Sequence, residues 1–135
     1  MYKYKIIKDK EIEKYKKELI SFYKKEKQLN DHYLRSLKNS SFVVICLYKK
    51  SIIGSVRVIS DLREFALLMD LFVAKKFRKK GIGTKIMGLI INECRKIGIK
   101  NLSLLVDCKK SWLLKWYQRL GFKKNKTVCY MNRRM

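Results

Sequence analysis

The apolar and polar positions of the chain fall into short apolar runs bounded by charge, with stretches of helical period between them. Residues 66–73, ALLMDLFV, are nearly all apolar, the pattern of a strand covered on both faces. Residues 84–97 follow with Ile86, Ile90, Cys94 and Ile97 at helical spacing, Met87 and Ile91 beside them, and Arg95 and Lys96 in the last turn. Gly98 is placed to cap that helix. At the start, residues 2–7 alternate Tyr and Lys and then give two isoleucines, which predicts an edge strand. Asp9 is placed to cap a first helix, whose apolar stripe is Ile12, Tyr15, Leu19 and Phe22 or Tyr23. Its acids Glu11 and Glu13 come early and Lys24, Lys25 and Lys27 come late, as the helix dipole prefers.

Asn30 or Asp31 starts a shorter helix through Tyr33, Leu34 and Leu37. Residues 41–48 and 52–59 form a hairpin about Lys49, Lys50 and Ser51, with Gly54 inside its second strand, and residues 61–64 lead on to the strand at 66–73. Residues 102–106 predict another buried strand. Ser111 would cap a last helix carrying Trp112, Leu113, Trp116, Tyr117 and Leu120, and residues 127–131 a strand that closes the sheet.

Between the strand at 66–73 and its helix lies Arg78-Lys79-Lys80-Gly81-Ile82-Gly83. Glycines at 81 and 83 let the backbone take positive φ or approach a ligand closely, where the helix dipole already favours an anion. A dinucleotide-binding loop would place a third glycine at position 86, and a P-loop its second glycine there; Ile86 excludes both. The run instead matches Arg/Gln-x-x-Gly-x-Gly/Ala after a strand ending in valine. It resembles the acyl-CoA diphosphate loop of the GNAT superfamily of N-acetyltransferases through Val73, Arg78, Gly81 and Gly83, with Lys75 where many members have proline and Lys79 where many have glycine. A second run, WYQRLGF at 116–122, is similar to the end of the last GNAT helix, Tyr-x-x-x-Gly-Phe.

The resemblance implies an α/β fold, one GNAT domain over residues 1–135, with a mixed, mostly antiparallel sheet flanked by about four helices. It implies acetyl-CoA as cosubstrate, its pantetheine and thioester carbonyl held by amides of Leu71, Phe72 and Val73. Its diphosphate would be held by amides of Arg78, Lys79, Lys80, Gly81, Ile82, Gly83 and Thr84. Tyr117 becomes the candidate general acid, since a phenol of pKa near 10 can protonate a departing thiolate. Many relatives carry a glutamate on the central strand, where this chain has Leu67, Leu68 and Met69. Asp70 is the one acid there and the candidate for ordering a water or binding the amine, with Glu64, Asp61 and Asp107 in reserve. The segment holding His32 and Tyr33 would border the acceptor. Lys110 replaces an asparagine common in relatives.

Composition adjusts this picture. Lys and Arg number 34 against 11 Asp and Glu, a net charge of +23, which predicts salt-dependent affinity for nucleic acid. The lysines spread along the whole chain and no RNA-binding signature accompanies them, so a basic nucleic-acid-binding module, like a non-catalytic acyl-CoA sensor, is the alternative on the same scaffold. The charge disfavours polycationic acceptors and favours an amine attached to an anion, leaving small metabolites, protein amines and aminoacyl-tRNA. Cys46, Cys94, Cys108 and Cys129 form no C-x-x-C pair and fall mostly in apolar segments, as buried free thiols do. With His32 the one histidine, a zinc site or Ser-His-Asp triad has little to build on, and no metal is expected. No apolar run is long enough to span a bilayer, and the first residues resemble no signal or transit peptide, so a cytoplasmic enzyme without membrane attachment is expected.

Overall fold

The computed structural model describes residues 1–27 and 29–135, and the structural statements below concern these residues. They divide into two compact units, Met1–Leu105 and Val106–Met135. The first holds a five-stranded sheet of β1 (Tyr2–Ile7), β2 (Phe42–Tyr48), β3 (Ser51–Ser60), β4 (Phe65–Val73) and β5 (Asn101–Leu104), in that spatial order. The pairings from β1 to β4 are antiparallel, and β5 joins β4 in parallel. Its helices are α1 (Lys10–Glu26), α2 (Asp31–Leu34), continued by a 3-10 turn at Arg35–Asn39, and α3 (Ile82–Ile97). The second unit carries α4 (Ser111–Arg119). This is the α/β architecture expected, a mixed and mostly antiparallel sheet with four α-helices among the described residues. None of the helices is long and apolar enough to cross a membrane.

The core follows the strand alternation. On β3, Gly54 lies under α3, where an added Cβ would come within 3.1 Å of Ile86 Cδ1 and 3.4 Å of Ile82 Cγ2. Ser55 and Arg57 alternate to the other face of the sheet, where α1 and α2 pack. α1 buries Ile12, Leu19, Phe22 and Tyr23 as its stripe predicts, while Tyr15 stays half-exposed. α3 buries Ile82, Ile86, Met87, Ile90 and Cys94 against the opposite face. Glu93 is buried with them, its carboxylate held by Lys8 Nζ at 2.7 Å. α3 ends as expected. Gly98 takes φ 95°, its amide donates to Arg95 at 3.1 Å, and the next amide, of Ile99, reaches Cys94 at 3.0 Å.

Several expectations need correction. Asp9 stands at the N-cap of α1, but with φ 48° its side chain makes no capping bond; Asn30 does cap α2, accepting from the Tyr33 amide at 2.8 Å. α3 begins at Ile82 rather than residue 84, because Gly81 at φ 79° already turns the chain into the helix. Ser111 is the first residue of α4, and Lys110 holds the cap position without a side-chain bond. β4 is not covered on both faces throughout: Ala66 and Leu68 are buried, while 69–73 are half-exposed. β5 is shorter than 102–106, with alternate residues exposed. The strand expected at 127–131 does not form, and the sheet ends at β5. The Asn125 side chain accepts the amides of Thr127 and Val128 at 2.9 and 3.0 Å, spending donors that a ladder would need. Of the four cysteines only Cys46 and Cys94 are buried; Cys108 and Cys129 are exposed, and all four are free thiols.

Candidate acetyl-transfer site

The site is built where β4 leaves its neighbours. Pairing with β5 stops at Leu68 opposite Leu104, yet β4 runs on to Val73, so residues 69–73 have β3 on one side and no paired strand on the other. On the β3 side the register shifts between Ser55 and Arg57, so Asp70 and Leu71 together stand opposite Val56. This is a β-bulge, and Asp70 enters it with φ 58°. A left-handed non-glycine residue costs about 1–3 kcal/mol and persists where its surroundings hold it.

Four side chains hold this one. Tyr23 donates its hydroxyl to the Asp70 carbonyl at 2.8 Å, and Tyr33 donates to Oδ2 at 2.5 Å. Lys27 Nζ lies 3.4 Å from Oδ1, and Arg57 Nη1 lies 3.8 Å from Oδ2. Arg57 is itself buried, 2% exposed, and fixed by Ser40 Oγ at 2.9 Å, Ser36 Oγ at 2.8 Å and the Ser36 carbonyl at 3.0 Å. Burial, and then the Asp70 carboxylate, pushes the Tyr33 phenol up to about 12; burial drives Tyr23 higher still. Both stay protonated donors at neutral pH.

Beyond β4 the chain makes a 3-10 turn at Lys75–Phe77, whose Phe77 ring packs on Tyr48 and Tyr2 at 5.3 and 6.3 Å. Arg78 folds back. Its Nε donates to the Val73 carbonyl at 3.0 Å and its guanidinium covers the Phe72 ring at 4.8 Å, pinning the loop to the strand end. Lys79 and Gly81 are both left-handed, at φ 62° and 79°. An added Cβ on Gly81 would meet nothing within 4 Å, so glycine serves backbone conformation there rather than space. No side chain among the described residues caps α3, which leaves its first-turn amides open beside exposed Lys79 and Lys80. An open helix start amid cations suits a diphosphate, and the unpaired edge of β4 suits an amide-bearing pantetheine arm. The residues present therefore fit acetyl-CoA.

In the second unit Tyr117 is buried on α4, its ring 4.9 Å from Trp116 and 5.7 Å from Phe122. Gly121 takes φ 98°, which lets the Phe122 amide return to the Tyr117 carbonyl at 3.1 Å. Burial raises the Tyr117 phenol above its ordinary value.

Of the sequence candidates, Asp70, Leu71, Phe72 and Val73 thus share the free end of β4, and residues 78–84 share one loop and helix start. The reserve acids are placed otherwise. Asp61 Oδ1 accepts the amides of Arg63, Glu64 and Phe65, Glu64 is exposed, and Asp107 accepts the Lys109 amide. His32 is exposed while Tyr33 joins the Asp70 cluster. Sequence reasoning missed Arg57, Tyr23 and Lys27 as members of that cluster. Arg57 was legible in principle, being the one charge in the run IIGSVRVI; Lys27 and Tyr23 read as helix-end charge and core.

Comparison with known proteins agrees with this fold. A family model described as an acetyltransferase (GNAT) domain matches residues 7–133. An uncharacterised N-acetyltransferase of Methanocaldococcus jannaschii is 33% identical over 66 residues, 49% of this chain and 29% of that protein, so the match spans under a third of its length. An aminoglycoside acetyltransferase from an uncultured soil metagenomic sample, solved with trehalose, superposes with TM-score 0.76 at 17% identity over 99% of this chain and 96% of that one. AAC(6')-Iy, solved with the bisubstrate analogue CoA-S-monomethyl-acetylneamine, gives TM-score 0.73 at 14% identity over 100% and 99% of the two chains. With nearly its whole length matched by the family model, the chain belongs to the GNAT acetyltransferase family.

Proposed function

We propose that the chain transfers an acetyl group from acetyl-CoA to a primary amine by direct attack of the amine on the thioester. The observation that carries this is the free, bulged end of β4, joined through a 3-10 turn and a basic loop to an uncapped, glycine-initiated helix. Family membership and the CoA analogue bound by a structural neighbour support it.

Acetyl-CoA would supply the activated acyl group and a thiolate leaving group. The open amides of residues 79–84 hold a diphosphate, and Arg78 keeps their loop seated on β4. The Leu71–Val73 backbone aligns the arm and gives oxyanion donors that need no special side chain. Holding the two reactants together can contribute about 7–11 kcal/mol in favourable cases. Asp70 binds the acceptor amine. A carboxylate has about four lone-pair sites, and with Tyr33 and Arg57 at Oδ2 and Lys27 beside Oδ1 one remains for an incoming N–H. The Tyr117 hydroxyl, kept protonated by burial, holds the proton that a departing thiolate needs. Four free thiols suit a reducing, cytoplasmic setting.

The test is calorimetry with acetyl-CoA followed by a free-thiol assay over pooled amines. Saturable binding with thiol release from at least one pool is expected; binding without turnover of any amine would mean an acyl-CoA sensor instead.

A further inference from the structure

We infer that the acceptor carries an anionic group beside its amine, as a free amino acid does, and that Lys27 selects it; this rests on the acetyltransferase proposal above. Lys27 ends α1, its amide donating to the Tyr23 carbonyl at 3.0 Å, and its ammonium stands 3.4 Å from Asp70 Oδ1 and 6.0 Å from the Phe72 ring centre. The side chain is 34% exposed, so solvent and ligands can reach it. An ammonium has three donors, and one turned to Asp70 leaves two for a ligand anion. Asp70 keeps an acceptor site for an amine. At the free end of β4 the Asp70 carboxylate, its side chain 9% exposed, and the more exposed Lys27 ammonium thus stand side by side, the complement of a zwitterion whose nitrogen and anionic oxygens are a few ångströms apart.

The remaining charges sharpen the choice. Arg57 lies behind Asp70, too buried to touch a ligand, but its fixed charge at 3.8 Å offsets the carboxylate. Arg78 adds another cation over Phe72. Asp31, the acid that α2 brings, is occupied by Lys24 at 2.6 Å. A polycation such as an aminoglycoside or polyamine would find one carboxylate for its first ammonium and repulsion for the rest. An amine bearing a carboxylate or phosphate satisfies both groups.

The experiment compares alanine, O-phosphoethanolamine, ethylamine and spermidine as acceptors in a free-thiol assay. It uses the wild-type chain, Lys27→Met and Lys27→Arg, and ligand-observed NMR of alanine in the presence of CoA reports binding without turnover. Wild type should favour alanine or O-phosphoethanolamine over ethylamine by about tenfold or more in kcat/KM, through KM, with spermidine poorest. Lys27→Met should bring that ratio to within about twofold and remove the alanine NMR signal, and Lys27→Arg should retain both. The better of the two anionic amines tells carboxylate from phosphate. Acetyl-CoA binding with turnover that shows no preference for anionic amines, or a preference unchanged in Lys27→Met, overturns this inference alone. Failure to bind acetyl-CoA overturns the acetyltransferase proposal and this inference with it.

Discussion

Asp70 is the residue at which backbone, charge and chemistry meet. Its left-handed φ would be a liability on an ordinary strand. Here two tyrosine hydroxyls and two cations fix it, and they would shape the acceptor side on the function proposed. Tyr117 is the other residue with a chemical assignment, and the two can be separated experimentally. Tyr117→Phe keeps the ring packing on Trp116 and Phe122 and removes only the hydroxyl. It should lower kcat by roughly 10²-fold or more while leaving acetyl-CoA affinity nearly unchanged in calorimetry. An unchanged kcat with chemistry rate-limiting would remove Tyr117 from the mechanism. Tyr117, Gly81 and Gly83 could be named as candidates because each sits in a short local pattern, and Asp70 because it is the one acid on its strand. Of the partners of Asp70, only Tyr33 lay in a segment expected near the acceptor. Tyr23, Lys27, Tyr33 and Arg57 come from three separate segments, and only the folded sheet brings them within 4.0 Å of Asp70.

Among the elements, α3 was read with most success, because a 3.6-residue apolar period and a terminal glycine are local signals of one helix. Its C-terminus offers a direct check. Gly98→Ala must place a Cβ in a left-handed conformation and should cost about 1–2 kcal/mol in chemical denaturation, with no clash contributing, since nothing lies within 4 Å of the added carbon. A neutral substitution would mean that the helix end relaxes into another cap. Strands were harder to read. The pattern of β4 gave its existence and position, but its bulge and its parting from β5 depend on the lengths of two other strands. The run at 127–131 has strand composition, yet Asn125 diverts its amides into a turn and leaves Val128, Tyr130 and Met131 exposed.

At the scale of the whole molecule, phenols that hold their protons more tightly than usual set a pH limit. Tyr4 and Tyr33 are pushed up to about 12 and Tyr23 further, burial being the largest cause in each. A folded-state pKa above the ordinary 10.0 means that the native state holds those protons more tightly than the unfolded chain. Their contribution to stability is therefore complete below about pH 10 and is lost as pH rises towards 12 and beyond. Melting temperature should be level with respect to these groups up to pH 10 and fall above it, with a shallower fall in Tyr33→Phe. Equal slopes in the two proteins would contradict this. The net charge of +23 was visible from composition, whereas its local meaning, the Asp70 carboxylate between Lys27 and Arg57 at the end of β4, needed the fold.

Amide-resolved NMR during titration with acetyl-CoA, in the native chain and in Gly83→Val, tests the central claim most directly. The largest shifts should fall on residues 71–73 and 78–84 in the native chain and vanish in Gly83→Val, whose branched side chain blocks close approach of a phosphate to the start of α3. Shifts centred elsewhere, or equally tight binding by the variant, would contradict it.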